Sequence, residues 1–186
     1  MGADEGILLC DRAFAGADAY ATALTIATAI KKFCPFSLVL CGCETADSGT
    51  RMVGPMLAEF LDVPYASNVR VMNVTGEEAC LVEADLDGGR MKVELRLPAL
   101  ITVNRAINEP RIADVMGIIQ VAGKTLSTYG AKDLGLPAEK LGLAGSPTRV
   151  ASVWEFKKDR RSEVLQGSPK HASSDAVARI REWGGL

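Results

Sequence analysis

The residues best suited to chemistry in this chain are Asp47-Ser48-Gly49-Thr50-Arg51-Met52-Val53-Gly54-Pro55, because their types and order make an anion cradle. They lie between an apolar run, Ser37-Leu38-Val39-Leu40-Cys41, and an amphipathic stretch that begins near Thr50. The first N–H groups of a helix have no partner inside it and carry about half a positive charge, so a phosphate placed there gains hydrogen bonds and dipole stabilisation together. A nucleotide is the ligand such a turn takes; otherwise the segment is an ordinary helix start with nothing bound. No competing chemistry stands out. His171 is the only histidine and lies in a polar stretch, and no nucleophile is paired with a base. Cys41 and Cys43 form a CxC without a second thiol pair or nearby histidine, so they read as packing residues and no metal site is expected.

The turn needs a strand to end before it and a helix to begin after it, and the flanking pattern supplies both. Met52, Val53, Met56, Leu57 and Phe60 share one face of a helix predicted from about Thr50 to Leu61. The same strand–loop–helix unit occurs earlier: Gly6-Ile7-Leu8-Leu9-Cys10, the loop Asp11 to Asp18, then a helix from about Ala19 to Phe33. Asp18 is its N-cap, Leu24, Ile26, Ala27, Ile30 and Phe33 its apolar stripe, and Lys31 and Lys32 its last turn. Two such units predict parallel strands whose loops meet at the carboxyl edge of an open sheet, where ligands gather.

Composition sets the limits. The chain has 186 residues, 48% of them hydrophobic, enough for one α/β domain with a substantial core and an appendage. Its 21 Lys and Arg against 23 Asp and Glu give a net charge of -2, which provides no basic field for nucleic acid. The odd number of cysteines, five, without a CxxC fits a reducing compartment, and no apolar run is long enough to span a membrane or to act as a signal core. A cytoplasmic location is expected.

Further along, Tyr65 to Val74 and Cys80 to Asp85 are strand-like. Asp87-Gly88-Gly89 separates Leu81 to Leu86 from Arg90 to Leu97 as a hairpin, and Ala99 to Val103 returns to the sheet. A helix is predicted from the vicinity of Pro110 to Val121, followed by strands near Thr125 to Thr128 and Arg149 to Phe156. The expected organisation is a nucleotide-binding domain over residues 1–156 and an extended arm over 157–186. The arm would end in a helix from Ser174 to Trp183 whose Val177, Ile180 and Trp183 recur once per turn and need a surface to bury against.

Several motifs occur in an order shared with one family. They are Met1-Gly2-Ala3-Asp4, Asp11 to Asp18, Gly42 with Asp47 and Thr50 to Pro55, Leu86-Asp87-Gly88-Gly89, Leu97-Pro98-Ala99, Asn108-Glu109-Pro110-Arg111 and Asp133-Leu134-Gly135-Leu136. Over nearly its whole length the chain resembles the β (small) subunit of electron transfer flavoproteins. The resemblance implies a mostly parallel, doubly wound α/β sheet of the Rossmann-like, adenine-nucleotide-binding kind, with a β-hairpin insertion and a C-terminal arm. It also implies an electron carrier rather than an enzyme. The carrier pairs with a larger α subunit that holds an FAD, and itself binds AMP or, in electron-bifurcating members, a second FAD.

By the same resemblance, Gly42, Asp47, Ser48, Gly49, Thr50, Arg51, Met52 and Val53 would hold the nucleotide phosphates, with Arg51 adding a charge-assisted contact. Asp11, Phe14, Gly16, Ala17, Asp18 and Thr22 would form a second wall. Ala19 stands where flavin-binding members commonly have threonine, a loss of one hydrogen bond worth about 0.5–1.5 kcal/mol, which leaves AMP and FAD both open. Val115, in the place of the family's anchoring leucine, and Met116 would dock on acyl-CoA dehydrogenase-type flavoenzymes, or would face the chain's own core. The lysine run usual after that point is thinned to Gln120-Val121-Ala122-Gly123-Lys124, which points to a different redox partner. Asp85 takes the place of a glutamate that pairs with an arginine of the α subunit, or is a solvated strand residue. The family begins with further strands and helices before the match starts, so the chain is expected to be a fragment or to start at an internal methionine, with an unpaired apolar strand edge. The alternative readings are a stand-alone adenine-nucleotide-binding regulatory protein or an inactive fragment.

Overall fold

The computed structural model describes residues 1–155 and 162–184. They fall into two compact units, Met1–Arg149 and Val150–Leu186.

In the first unit the second strand–loop–helix pair builds the sheet that carries the turn. Strand β2 (Leu38–Gly42) feeds helix α2 (Val53–Leu61), and β3 (Tyr65–Val74), β4 (Ala79–Leu86), β5 (Gly89–Arg96) and β6 (Ala99–Val103) follow. The sheet order is β2-β6-β3-β4-β5. β6 is parallel to both β2 and β3, whereas β3-β4 and β4-β5 are antiparallel. The hairpin closes in a two-residue turn, Asp87-Gly88, with Leu86 opposite Gly89 and Gly88 at φ +89°.

Strand β6 is the centre of the unit. Side chains alternate across a strand, so Leu100 and Ile101, both fully buried, point to opposite faces and anchor two cores. Leu100 joins Ala23, Ala27, Leu57, Ala58 and Leu61 beneath α1 (Ala19–Phe33) and α2. Ile101 joins Ala66, Val69, Cys80, Val82, Ala84 and Leu95 from the other strands. Small residues at Ala23 and Ala27 let α1 approach α2, and Tyr20 meets Phe60 edge-on at 5.2 Å between ring centroids.

Helix α1 starts and stops where the pattern predicts. Asp18 caps it by accepting from the N–H of Ala21 at 3.0 Å, and Lys31 and Lys32 lie in its last turn. Strand β1 (Gly6–Leu9), however, does not join the large sheet. It pairs in parallel with β7 (Leu126–Tyr129) in a separate two-stranded sheet. The expectation of one doubly wound sheet containing both units is corrected accordingly. Phe33 at the end of α1 stacks on Tyr129 at 3.9 Å, which ties this small sheet to the helix layer. β2 is bonded on one side only among the described residues, and its Leu40 is exposed, as are Ile7 and Leu8 of β1.

Three further boundaries differ. Helix α3 (Val115–Val121) begins four residues after Arg111, because Asp114 rather than Pro110 provides the cap, accepting from Gly117 N–H at 2.5 Å. Arg149 to Glu155 form no strand, and Phe156 lies outside the described residues. A four-residue helix α4 (Ala131–Leu134) follows β7, and Gly135 closes it in the left-handed conformation at φ +71°.

In the second unit helix α5 (Pro169–Glu182) starts earlier than predicted. Ser168 accepts from His171 N–H, and Pro169 occupies the first helical position, where its missing N–H costs nothing. Glu163 pairs with Arg179 of this helix at 3.1 Å.

Candidate functional site

The Gly42 to Val53 segment runs from the carboxyl end of β2 to the start of α2. Thr45 O accepts from Gly49 N–H at 3.0 Å, the Thr45 and Ser48 hydroxyls lie 3.0 Å apart, and Gly49 sits at φ +58°. Arg51 also has a positive φ, +57°, a conformation rare for a residue with a β-carbon. That left-handed residue keeps Thr50 and Arg51 out of the helix, so α2 begins at Val53 rather than Thr50. Met52 is its N-cap and offers no side-chain acceptor. Among the described residues the Val53 and Gly54 N–H groups are therefore without a capping side chain, and Pro55 has no N–H to satisfy.

Gly54 holds this helix start against the sheet. A β-carbon there would overlap the Thr102 methyl of β6, so the close approach requires glycine. Around the turn, Arg51 Nε donates to Glu44 Oε2 at 2.7 Å, which lowers the Glu44 pKa and raises that of Arg51. The Asp47 carboxyl is held below the usual range by the Thr45 hydroxyl and by backbone N–H groups of its own turn. Arg51 is thus bound to a neighbour rather than held out for a ligand. The pair is exposed on both sides, 68% and 46%, so exchanging it for another anion costs little.

The Asp11–Asp18 loop is turned toward a different part of the chain. Asp11 accepts from Ala13 N–H and Ala131 N–H, both at 2.9 Å, and these bonds hold its pKa down. Asp18 uses its second oxygen for the Thr148 N–H and hydroxyl, at 2.9 and 2.8 Å, and its own N–H donates to Ser146 Oγ. Gly16, at φ +72°, lies against Leu143, and Leu143 N–H donates to Ala15 O at 3.0 Å. A β-carbon at position 142 would collide with Ala13 O, so only glycine fits there. The Asp11 carboxylate is therefore engaged by the start of α4 and that of Asp18 by the segment that follows α4, pairings not read from the sequence. Phe14 and Ala17 are partly buried in this packing, and Thr22 N–H donates to Asp18 O within the first turn of α1. Among the described residues no hydrogen bond or ion pair joins this loop to the Gly42–Val53 turn.

The turn borders a cleft of about 350 Å³ at the carboxyl edge of the sheet, lined by Cys43, Arg51, Tyr65, Asn68, Asp85 and Thr102 among others. Asn68 interrupts β3 at φ +55°, where the pairing register shifts. Asparagine is one of the few residues that tolerates this conformation. Its N–H donates to the Thr102 hydroxyl at 3.1 Å, and its amide donates to Asp85 O at 2.9 Å. Asp85 is neither a lone solvated residue nor buried: Arg70 and Arg90 each stand 3.4 Å from its Oδ1. Asn68, Thr102 and Asn104 were not singled out by motif; only the unusual backbone of Asn68 marks them.

Val115 and Met116 lie on the surface, 72% and 60% exposed, and α3 has no buried residue. They do not face this chain's core. Within the second unit Val177, Ile180 and Trp183 are exposed as well, with no buried residue in α5. Among the described residues no group of three or more His, Cys, Asp or Glu could hold a metal, and no helix is long and apolar enough to cross a membrane.

A mixed α/β sheet with an uncapped helix start and a cleft at its carboxyl edge defines an open-sheet α/β domain. The model of the electron transfer flavoprotein domain matches residues 1–133. The electron transfer flavoprotein subunit beta of Thermoanaerobacterium thermosaccharolyticum is 39% identical over 181 residues, covering 97% of this chain and 69% of the relative. The caffeyl-CoA reductase-Etf complex subunit CarD of Acetobacterium woodii is 33% identical, over 98% of this chain and 70% of the relative. Protein FixA of Azotobacter vinelandii is 34% identical, over 97% and 68%. The chain belongs to the electron transfer flavoprotein family, among its β subunits.

Proposed function

We propose that this chain is the small subunit of a heterodimeric electron carrier, in which it binds an adenine nucleotide, AMP or FAD, with the phosphates at the start of α2. The observation that supports the reading is the uncapped pair of N–H groups at Val53 and Gly54, which follow Ser48, Thr50 and Arg51 in the same turn. These donors fit a phosphate group, and the two nearest carboxylates are already turned to Arg51 and Thr45. Gly42 and Gly49 keep the backbone of the turn close to the ligand, with Asp47 and Met52 at its rim. The Asp11–Asp18 loop, with Phe14, Gly16, Ala17 and Thr22, supplies shape rather than charge to the second wall, because Asp11 and Asp18 are engaged within the chain.

A flavin, when bound, supplies the electron-transfer chemistry; the chain's own residues bind, orient and dock. The FAD that carries electrons belongs to the larger α subunit, against which Asp85 and the arm residues Val177, Ile180 and Trp183 pack. Val115 and Met116 form an apolar anchor for a flavoenzyme of the acyl-CoA dehydrogenase type. One relative is named as part of a caffeyl-CoA reductase complex, which supports a CoA-linked flavoenzyme as partner. Co-expression of the full chain with the α subunit of the same organism tests the reading. It predicts a heterodimer with visible flavin absorbance, and a chain that purifies alone without flavin contradicts it.

A further inference from the structure

Asp85 stands near the end of β4 at the wall of the cleft, and two amides fix its carboxylate and backbone. Asn104 Oδ1 accepts from Ala106 N–H at 2.9 Å, which turns its Nδ2 toward Asp85 Oδ2 at 3.0 Å and toward Asn68 O and Oδ1, each at 3.1 Å. Asn68 in turn donates to Asp85 O at 2.9 Å from its left-handed position in β3. An amide donor orients a carboxylate without neutralising it. The remaining oxygen, Oδ1, faces Arg70 and Arg90 at 3.4 Å each, longer than the roughly 2.7–2.9 Å of a tight charge-assisted bond. Its charge is held in place yet only loosely compensated by partly exposed side chains.

We propose that Asn68 and Asn104 are positioning residues that present the Asp85 carboxylate to a cationic side chain of the larger subunit. The proposal rests on the reading that Asp85 faces that subunit. Arg70 and Arg90 occupy Oδ1 in the isolated chain, and their long, partly exposed contacts can exchange for a partner's cation. The device joins β3, β4 and β6 at one point, so the carboxylate keeps its direction through docking.

Two variants separate direction from scaffold. Asn104→Asp keeps the acceptor for Ala106 N–H and replaces the donor facing Asp85 with an acceptor. Asn68→Gly keeps the left-handed backbone and removes the amide. The full chain and the α subunit of the same organism are titrated against each other at low and physiological salt, with melting curves alongside. Each variant is expected to weaken association by roughly fivefold to thirtyfold. Asn68→Gly should also flatten the salt dependence toward that of Asp85→Asn, whereas the added carboxylate of Asn104→Asp should steepen it, and neither should weaken association further in the Asp85→Asn background. Losses that are equal at both salts and additive with Asp85→Asn overturn positioning in favour of a purely structural role. If Asp85→Asn alone weakens association, only the positioning claim fails; if Asp85→Asn changes nothing, the placement of Asp85 at the interface fails first. Should Asn104→Asp not fold, Asn68→Gly carries the same comparison.

Discussion

At the scale of single residues, the site is made by exchanges between a few polar atoms and one missing β-carbon. Gly54→Ala places a methyl into Thr102 and must move either α2 or β6. A loss of about 1–3 kcal/mol in thermal or denaturant unfolding is expected, with nucleotide affinity falling as the helix start shifts. Asp18 is the clearest pH-sensitive support. Burial pushes its pKa up, but the Ala21 N–H bond and the Thr148 hydroxyl and N–H bonds outweigh it, so the folded value lies below that of a free aspartate. A depressed folded pKa means that this stabilisation is fully present above the unfolded pKa, about 3.9, and is lost as pH falls through the folded value. The melting-temperature gap between wild type and Asp18→Asn should therefore be open at neutral pH and close below about pH 4; a gap constant with pH would contradict this role. Asp18 was legible as a cap because it precedes an apolar helical stripe. Its second partner, Thr148, was not, since 130 residues separate the two and no local pattern links them.

Among the elements, β6 and the two well-patterned helices carry the fold, while the elements that differ from expectation lie at the surface. Strand β3 and strand β6 have the boundaries expected of them, and β6, a short apolar run, is buried on both faces. Leu100→Ala should cost about 2–5 kcal/mol, because it opens a cavity between α1, α2 and the sheet. The start of α2 was read three residues early: composition gives no sign that Arg51 takes a left-handed backbone and that Glu44 holds its guanidinium across the turn. The start of α3 was read early for a related reason, since Pro110 suits a first turn but Asp114 captures it. The exposed α3 separates function from stability. Met116→Glu should leave the melting temperature within about 1 °C while reducing electron transfer from the flavoenzyme partner severalfold, as expected for a docking anchor. An equal loss of stability would place Met116 in the fold instead.

The whole chain, at the largest scale, is a sheet-and-helix unit that exposes apolar side chains on α3, plus an arm unit whose helix has no buried residue. The α/β class, the hairpin and the family were legible because they rest on many short patterns in order. The separation of β1 and β7 from the large sheet was not, because strand pairing over more than a hundred residues leaves no periodicity to read. The proposed function places an adenine nucleotide at the start of α2 in a β subunit paired with a flavin-carrying partner. The most direct measurement is to denature the purified complex and identify what this chain releases, comparing wild type with Arg51→Gln. AMP or FAD in stoichiometric amount beyond the partner's own FAD is expected, with reduced retention in Arg51→Gln; a complex that releases no additional adenine nucleotide would contradict nucleotide binding at the start of α2.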